Sequence, residues 1–263
     1  MDLVTACTTC TSAIETVIKI FGMGEENPAL LSVARRQQTF FRPVSGADVL
    51  WSFLMVVVLP VAVGLLIIVA STTFNQSWLI GILLPVVALI AGIGLWLTLL
   101  RRGWTWRDLG FTRSHRSLWH LLWEVPLLWV LALILTIVVA TLVGISPPET
   151  RSTTNVDTLK LGIVAALLAA ICTTIVFPVL EEIVFRRLLF GLFEQRFGLV
   201  VAILGSAAVF ALVHVMPVGL IQFFIGIGAA ILVRLHRTLW APIALHALNN
   251  GLATAAALTV LLG

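Results

Sequence analysis

The sequence has little charge. Only 11% of its 263 residues are Asp, Glu, Lys or Arg, and 60% are hydrophobic. Soluble domains carry about a quarter charged residues. A cytosolic or secreted soluble domain is therefore excluded, and a polytopic membrane protein is expected. Lysine is nearly missing: of 16 basic residues only Lys19 and Lys160 are Lys. The net charge of +4 does not point to nucleic acid, because the basic residues lie in loops between apolar spans, as in membrane orientation signals. Cysteine is also scarce. Cys7 and Cys10 form CTTC, but no second Cys or His pair completes a zinc site, and no catalytic role is expected for it. Cys172 reads as a small core residue within a span. There is no HExxH, no long-period repeat and no low-complexity tract. No basic region precedes a compact apolar core in the first 20 residues, so no signal peptide is expected.

What is present is a series of apolar runs. A span needs about 20 apolar residues, and seven candidates emerge: 49–70, 78–100, 118–145, 158–180 (continuing as helix to about 193), 198–215, 217–234 and 240–262. The expected fold is an all-α helical bundle with about seven transmembrane helices. Residues 1–47 form an N-terminal cytoplasmic or interfacial segment, 48–156 carry the first three helices, and 157–263 carry helices four to seven. Pro60, Pro85, Pro126 and Pro178 lie inside spans, where neighbours can satisfy freed carbonyls. Basic residues alternate by loop. One side collects 14: Lys19, Arg35, Arg36 and Arg42; Arg101, Arg102, Arg107, Arg113 and Arg116; Arg186, Arg187 and Arg196; Arg234 and Arg237. The other side has two, Arg151 and Lys160. The positive-inside rule then predicts a multi-pass protein of the cell membrane, N-terminus cytoplasmic and C-terminus outside.

Four polar groups interrupt the apolar runs. In VLEEIVFRRLLFG, Glu182 and Arg186 are i,i+4, about 40° apart on a helix, and can pair. Glu181 lies about 140° from Arg186 and has no partner on its own helix. It is either a catalytic acid or base or part of an interfacial charge cluster. Pro178, one turn earlier, removes a hydrogen bond to the Thr174 carbonyl. His214 ends an apolar span with Phe210 at i−4, a position equally suited to a structural histidine. His246 and Asn250 share a face of the last span, either as a polar clamp between helices or as lining of a cavity, with Asn249 nearby. His120 and Glu124, also i,i+4, read as a structural pair. Glu181 lies 16 residues before Phe197 and His214 lies 17 after it. At 1.5 Å per residue both sit roughly 25 Å from that turn, so a helical hairpin brings them level.

The set EExxxR, FxxxH and HxxxN on successive apolar helices resembles the CPBP family. These CAAX-protease and bacteriocin-processing proteins, also called Abi, are intramembrane glutamic endopeptidases that include the Ras-converting enzymes. The matching residues are Glu181-Glu182-x-x-x-Arg186, Phe210-x-x-x-His214 and His246-x-x-x-Asn250, within about residues 175–255. GWTWRDLGFTR (103–113) is similar to a segment ahead of this domain in bacterial members. The resemblance implies that Glu181 and His214 activate water and that His246 and Asn250 stabilise the oxyanion. Glu182, Arg186 and Phe210 are expected to support the site. It also implies a peptide or membrane-protein substrate within the lipid bilayer and no cofactor. Two alternatives stand beside it: a zinc-dependent version of the peptidase, and a non-catalytic scaffold, immunity protein or transporter that retains the polar network. A conduit predicts polar residues spread over several helices, whereas spans one and two have no charged residue between Asp48 and Arg101.

Overall fold

Long apolar runs in a bilayer satisfy their backbone groups internally, and helices do this within one segment. The computed structural model describes residues 42–70, 76–145, 162–214 and 218–262. Cys7, Cys10, most of the 1–47 segment and the loops holding Arg151 and Lys160 lie outside the described residues.

Seven helices are described, with no strand among the described residues. Helix α1 runs from Gly46–Phe53 through a π turn at Leu54–Val58 into Leu59–Ala70. Helix α2 is Gln76–Arg101, and α3 is a 3₁₀ turn at Leu118–His120 followed by Leu121–Val143. Helix α4 is Ile163–Phe197 with π turns at Cys172–Val176 and Ile183–Leu189. Helices α5, α6 and α7 are Leu199–Val213, Val218–His236 and Trp240–Leu262. The all-α bundle expected from the sequence is thus present.

Five helices, α1, α2, α3, α4 and α6, are long and apolar enough to cross a membrane. Helix α5 has 15 residues, roughly 22 Å, short of a bilayer's core of about 30 Å. The span expected over 198–215 is therefore a shorter helix that stops at His214. Helix α7 has 23 residues and carries His246, Asn249 and Asn250 on an otherwise mostly apolar helix.

Apolar side chains cover the outside of the bundle, among them Leu66 on α1, Leu89 on α2, Leu142 on α3 and Val164 on α4. Lipid tails match such a surface. The centre is α4, where every side chain from Glu182 to Phe190 is buried. Leu180, Val184, Phe185 and Leu188 pack with Leu95 and Leu99 of α2, Phe210 of α5 and Ile243 of α7. A second core joins Val125 and Ala132 of α3 to Ile225, Ala229 and Leu232 of α6 and Leu245 of α7. Small residues let α5 and α6 approach closely. A Cβ on Gly226 would lie 3.0 Å from Cα of Ala207.

The arginine-bearing connections meet at one end. Ser45 and Asp48 form a capping box at the start of α1, and Asp48 pairs with Arg102 at 2.5 Å. Arg42 donates to the carbonyls of Arg102 and Gly103. Arg187, expected as a loop charge, is instead buried in α4. Its guanidinium stacks on Trp104 at 4.8 Å and donates to the carbonyls of Asp108 and Arg42 at 2.5 and 2.6 Å. Arg186 is likewise buried in α4. Of the three basic residues expected in the 186–197 segment, only Arg196 is exposed. The Asp108 carboxyl sits below its ordinary range: partial burial raises it, but hydrogen bonds from Thr105 and the charges of Arg42 and Arg187 outweigh that.

The same end fastens the turn between α6 and α7. Arg237 adopts a left-handed φ of 54° there. Thr238 donates to the carbonyls of Gly110 and Thr112, and the Leu239 N–H donates to Gly110. His236, fully buried, sits 2.5 Å from Glu124 and 2.9 Å from the Ser114 hydroxyl. Arg116 reaches the other Glu124 oxygen at 3.2 Å. The expected His120–Glu124 pair is therefore corrected. His120 belongs to the 3₁₀ turn, whose tighter winding breaks the i,i+4 alignment, and it is exposed beside Trp123. Removing one member of a buried pair costs about 3–5 kcal/mol. Glu124→Ala should lose stability on that scale, whereas His120→Ala should stay within about 0.5 kcal/mol of the parent. Thermal unfolding in detergent, followed by tryptophan fluorescence, checks both.

Candidate active site

The site begins with two irregularities in α4. At the first π turn the Phe177 N–H reaches back five residues to the Cys172 carbonyl. Pro178 has no N–H, so in this register the carbonyl left without its donor is that of Thr173. The sequence expectation named Thr174; the five-residue step moves the vacancy by one. Asn250 of α7 fills it, donating its side-chain amide to the Thr173 carbonyl at 2.9 Å. The second π turn, Ile183–Leu189, follows directly on the two glutamates. Such turns recur at functional sites.

Helix phase separates the carboxylates as expected. Glu182 is fully buried and lies 3.3 Å from Arg186, an ion pair without an aligned hydrogen bond. Glu181 keeps 19% of its side chain exposed and faces the histidines. The hairpin of α4 and α5 brings His214 level with it, with Nε2 3.9 Å from Oε2 of Glu181. Nδ1 of His214 donates to the Phe210 carbonyl at 2.8 Å, which leaves Nε2 facing Glu181 as an acceptor when the ring is neutral.

His246 sits between the two glutamates. Its Nδ1 donates to Glu182 at 2.9 Å, and its Nε2 lies 3.5 Å from Glu181. The ring is fully buried, and Nε2 makes no aligned hydrogen bond. The sequence paired His246 with Asn250 by helix phase, but contact with both carboxylates was not foreseen. That contact depends on how α7 lies against α4. Asn250 accepts from Asn249 at 3.2 Å, and Asn249 accepts from the Trp129 indole at 3.3 Å.

Phe210 packs against several of these groups. Its fully buried ring packs against Phe185 at 5.0 Å, His214 at 4.5 Å and His246 at 5.3 Å. The Arg186 guanidinium lies over its face at 4.7 Å, where the ring quadrupole attracts the cation. Gly226 leaves room for that guanidinium; a Cβ there would come within 3.3 Å of Nη2. Six of the seven residues singled out by the motifs are therefore joined by contacts in one place, drawn from α4, α5 and α7, while Asn250 lies one turn beyond His246 on α7 and contacts Thr173 and Asn249 instead. Among the described residues, no group of three His, Cys, Asp or Glu is arranged to hold a metal ion.

Chemically the arrangement offers a partly exposed carboxylate and imidazole at a water-bridging distance, with a second imidazole beside them and an amide one turn further along α7. Residues 163–252, which contain all seven, match the family model described as Type II CAAX prenyl endopeptidase Rce1-like. A curated relative, "Putative membrane peptidase YdiL" of Bacillus subtilis (strain 168), is 32% identical over 101 residues, 38% of this chain. The match spans about two fifths of that relative, 41% of its length. No solved structure matches this chain. The resemblance read from the three motifs is borne out, and the chain is that of a multi-pass membrane protein.

The Glu182–Arg186 pair should behave as a unit. Arg186→Met alone strands a buried carboxylate and should cost about 3–5 kcal/mol, and the double variant Glu182→Leu, Arg186→Met should recover part of that loss. A double-mutant cycle on denaturant midpoints in detergent measures the coupling.

Proposed function

We propose that the protein is an intramembrane endopeptidase in which Glu181 and His214 activate a water molecule. The observation that carries this reading is the 3.9 Å gap between Glu181 Oε2 and His214 Nε2. Two acceptors at that distance are too far apart for a direct hydrogen bond and suited to share a bridging water. Both side chains are partly exposed, Glu181 by 19% and His214 by 23%, while Glu182, Arg186 and His246 are buried.

In this course the water donates to both groups. Glu181 takes a proton as the water oxygen bonds to the peptide carbonyl carbon. The oxygen of the tetrahedral intermediate is stabilised by the uncommitted Asn250 amide hydrogen and by Nε2 of His246, which donates there only with both ring nitrogens protonated because Nδ1 already donates to Glu182. Collapse breaks the C–N bond, and the proton held by Glu181 passes to the leaving amine. Glu182, Arg186 and Phe210 fix the two imidazoles. No cofactor enters these steps.

The family description supports a prenylated C-terminal peptide as the substrate class, and the relative's name supports a peptidase of membrane location. The arginine-rich end is proposed to face the cytoplasm. His246 is nine residues from Arg237, roughly 14 Å along α7, so the site is within reach of a peptide entering from that end.

Reconstitution in liposomes with a fluorogenic peptide ending in a prenylated CAAX sequence, and its unprenylated counterpart, tests the reading. Glu181→Gln and His214→Ala should each lower kcat by about 10²–10⁴-fold with the fold intact. Full activity in a folded Glu181→Gln protein overturns the assignment. Chelator should leave the rate unchanged; loss restored by zinc would replace the metal-free course with a zinc-dependent one.

A further inference from the structure

Asn250 has an amide whose two ends are nearly the same shape, so its orientation depends on its partners. The partners form a chain across three helices. The Trp129 indole of α3 donates to Asn249 Oδ1 at 3.3 Å. Asn249 Nδ2 donates to Asn250 Oδ1 at 3.2 Å, and Asn250 Nδ2 donates to the Thr173 carbonyl of α4 at 2.9 Å. Both ends of the chain are single-purpose. An indole N–H only donates and a carbonyl only accepts. Every amide between them must therefore point the same way.

This polarity has a consequence for chemistry. With Oδ1 committed to Asn249, Asn250 keeps one amide hydrogen uncommitted among the described residues. A flipped Asn250 would present an acceptor where the proposed oxyanion needs a donor. Thr173 supplies one restraint, and it exists because Pro178 and the π turn leave that carbonyl free. Trp129 and Asn249 supply the other. Asn249 is only 8% exposed, so water does not readily replace it. Trp129 lies outside residues 163–252, the stretch that carries the family match, so α3 takes part in the site from beyond that stretch.

We propose that Trp129 and Asn249 are positioning residues that hold the Asn250 amide in its donating orientation. The inference rests on the reading of Asn250 as an oxyanion donor. In the liposome assay with the prenylated fluorogenic peptide, Trp129→Phe and Asn249→Ala should each lower kcat about tenfold with KM within about twofold, because a misplaced donor affects the transition state more than the bound peptide. The double variant should be no worse than the poorer single variant, since either change breaks the same chain. Asn250→Ala is the reference and should lose about 10²–10³-fold. If Asn250→Ala is inactive while both single variants keep full kcat, the positioning role is overturned and the Asn250 reading stands. If Asn250→Ala keeps full kcat, the Asn250 reading fails and the positioning role fails with it. A second measurement does not need turnover. In ¹⁵N-indole spectra of the folded protein in micelles, the Trp129 signal, identified by its loss in Trp129→Phe, should shift in both Asn249→Ala and Asn250→Ala. A signal unmoved in Asn249→Ala overturns the chain itself.

Discussion

Glu182, Arg186 and His246 form a fully buried polar knot around which the helices are arranged. Burying a carboxylate or guanidinium among apolar helices is expensive unless partners surround it. Glu182 has two, one from its own helix and one from α7. Arg186 has the Glu182 charge, the Phe210 face and a place beside Gly226. These needs draw α4, α5, α6 and α7 together at one depth. Once they are met, Glu181 is the carboxylate left over, partly exposed and with two imidazoles near it.

The bundle supports this knot with backbone irregularity placed where side chains can absorb it. Pro178 and a π turn free a carbonyl inside an apolar helix, a state that would be unfavourable in hydrocarbon. Asn250 satisfies that carbonyl from another helix. The same end-to-end economy holds at the arginine-rich end. Arg187 satisfies carbonyls of Arg42 and Asp108, and Thr238 and Leu239 lace the α6–α7 turn to the 110–112 backbone. That turn leads into α7, so the loops at the membrane edge help set where His246 and Asn250 lie.

Much of this was legible in the sequence, for local reasons. Helices appear wherever apolar runs required them, with α5 shorter than expected, from Leu199 to Val213. The Glu182–Arg186 pair followed from i,i+4 spacing, and the level placement of Glu181 and His214 followed from counting residues on two arms of a hairpin. Errors arose where winding or cross-helix contact intervened. Glu124 found His236, 112 residues away, because a 3₁₀ turn rotated His120 outward. The freed carbonyl moved from Thr174 to Thr173 because a π turn adds a residue to the register. Arg187 read as a loop charge because burial against Trp104 leaves no local signature.

The membrane-helical class, the helix faces on which Glu181, Glu182 and Arg186 lie, and the shared face of His246 and Asn250 on α7 were all readable from the chain alone. Each follows from composition or from the period of a helix, which a single segment carries within itself. It took helix packing to reveal that His246 bridges both glutamates, that Asn250 answers Thr173 and that Trp129 of α3 reaches Asn249. Those contacts depend on the rotation and depth of one helix against another. That geometry is set jointly by small residues, buried charge and backbone irregularity on all of them, so no single stretch of sequence contains it.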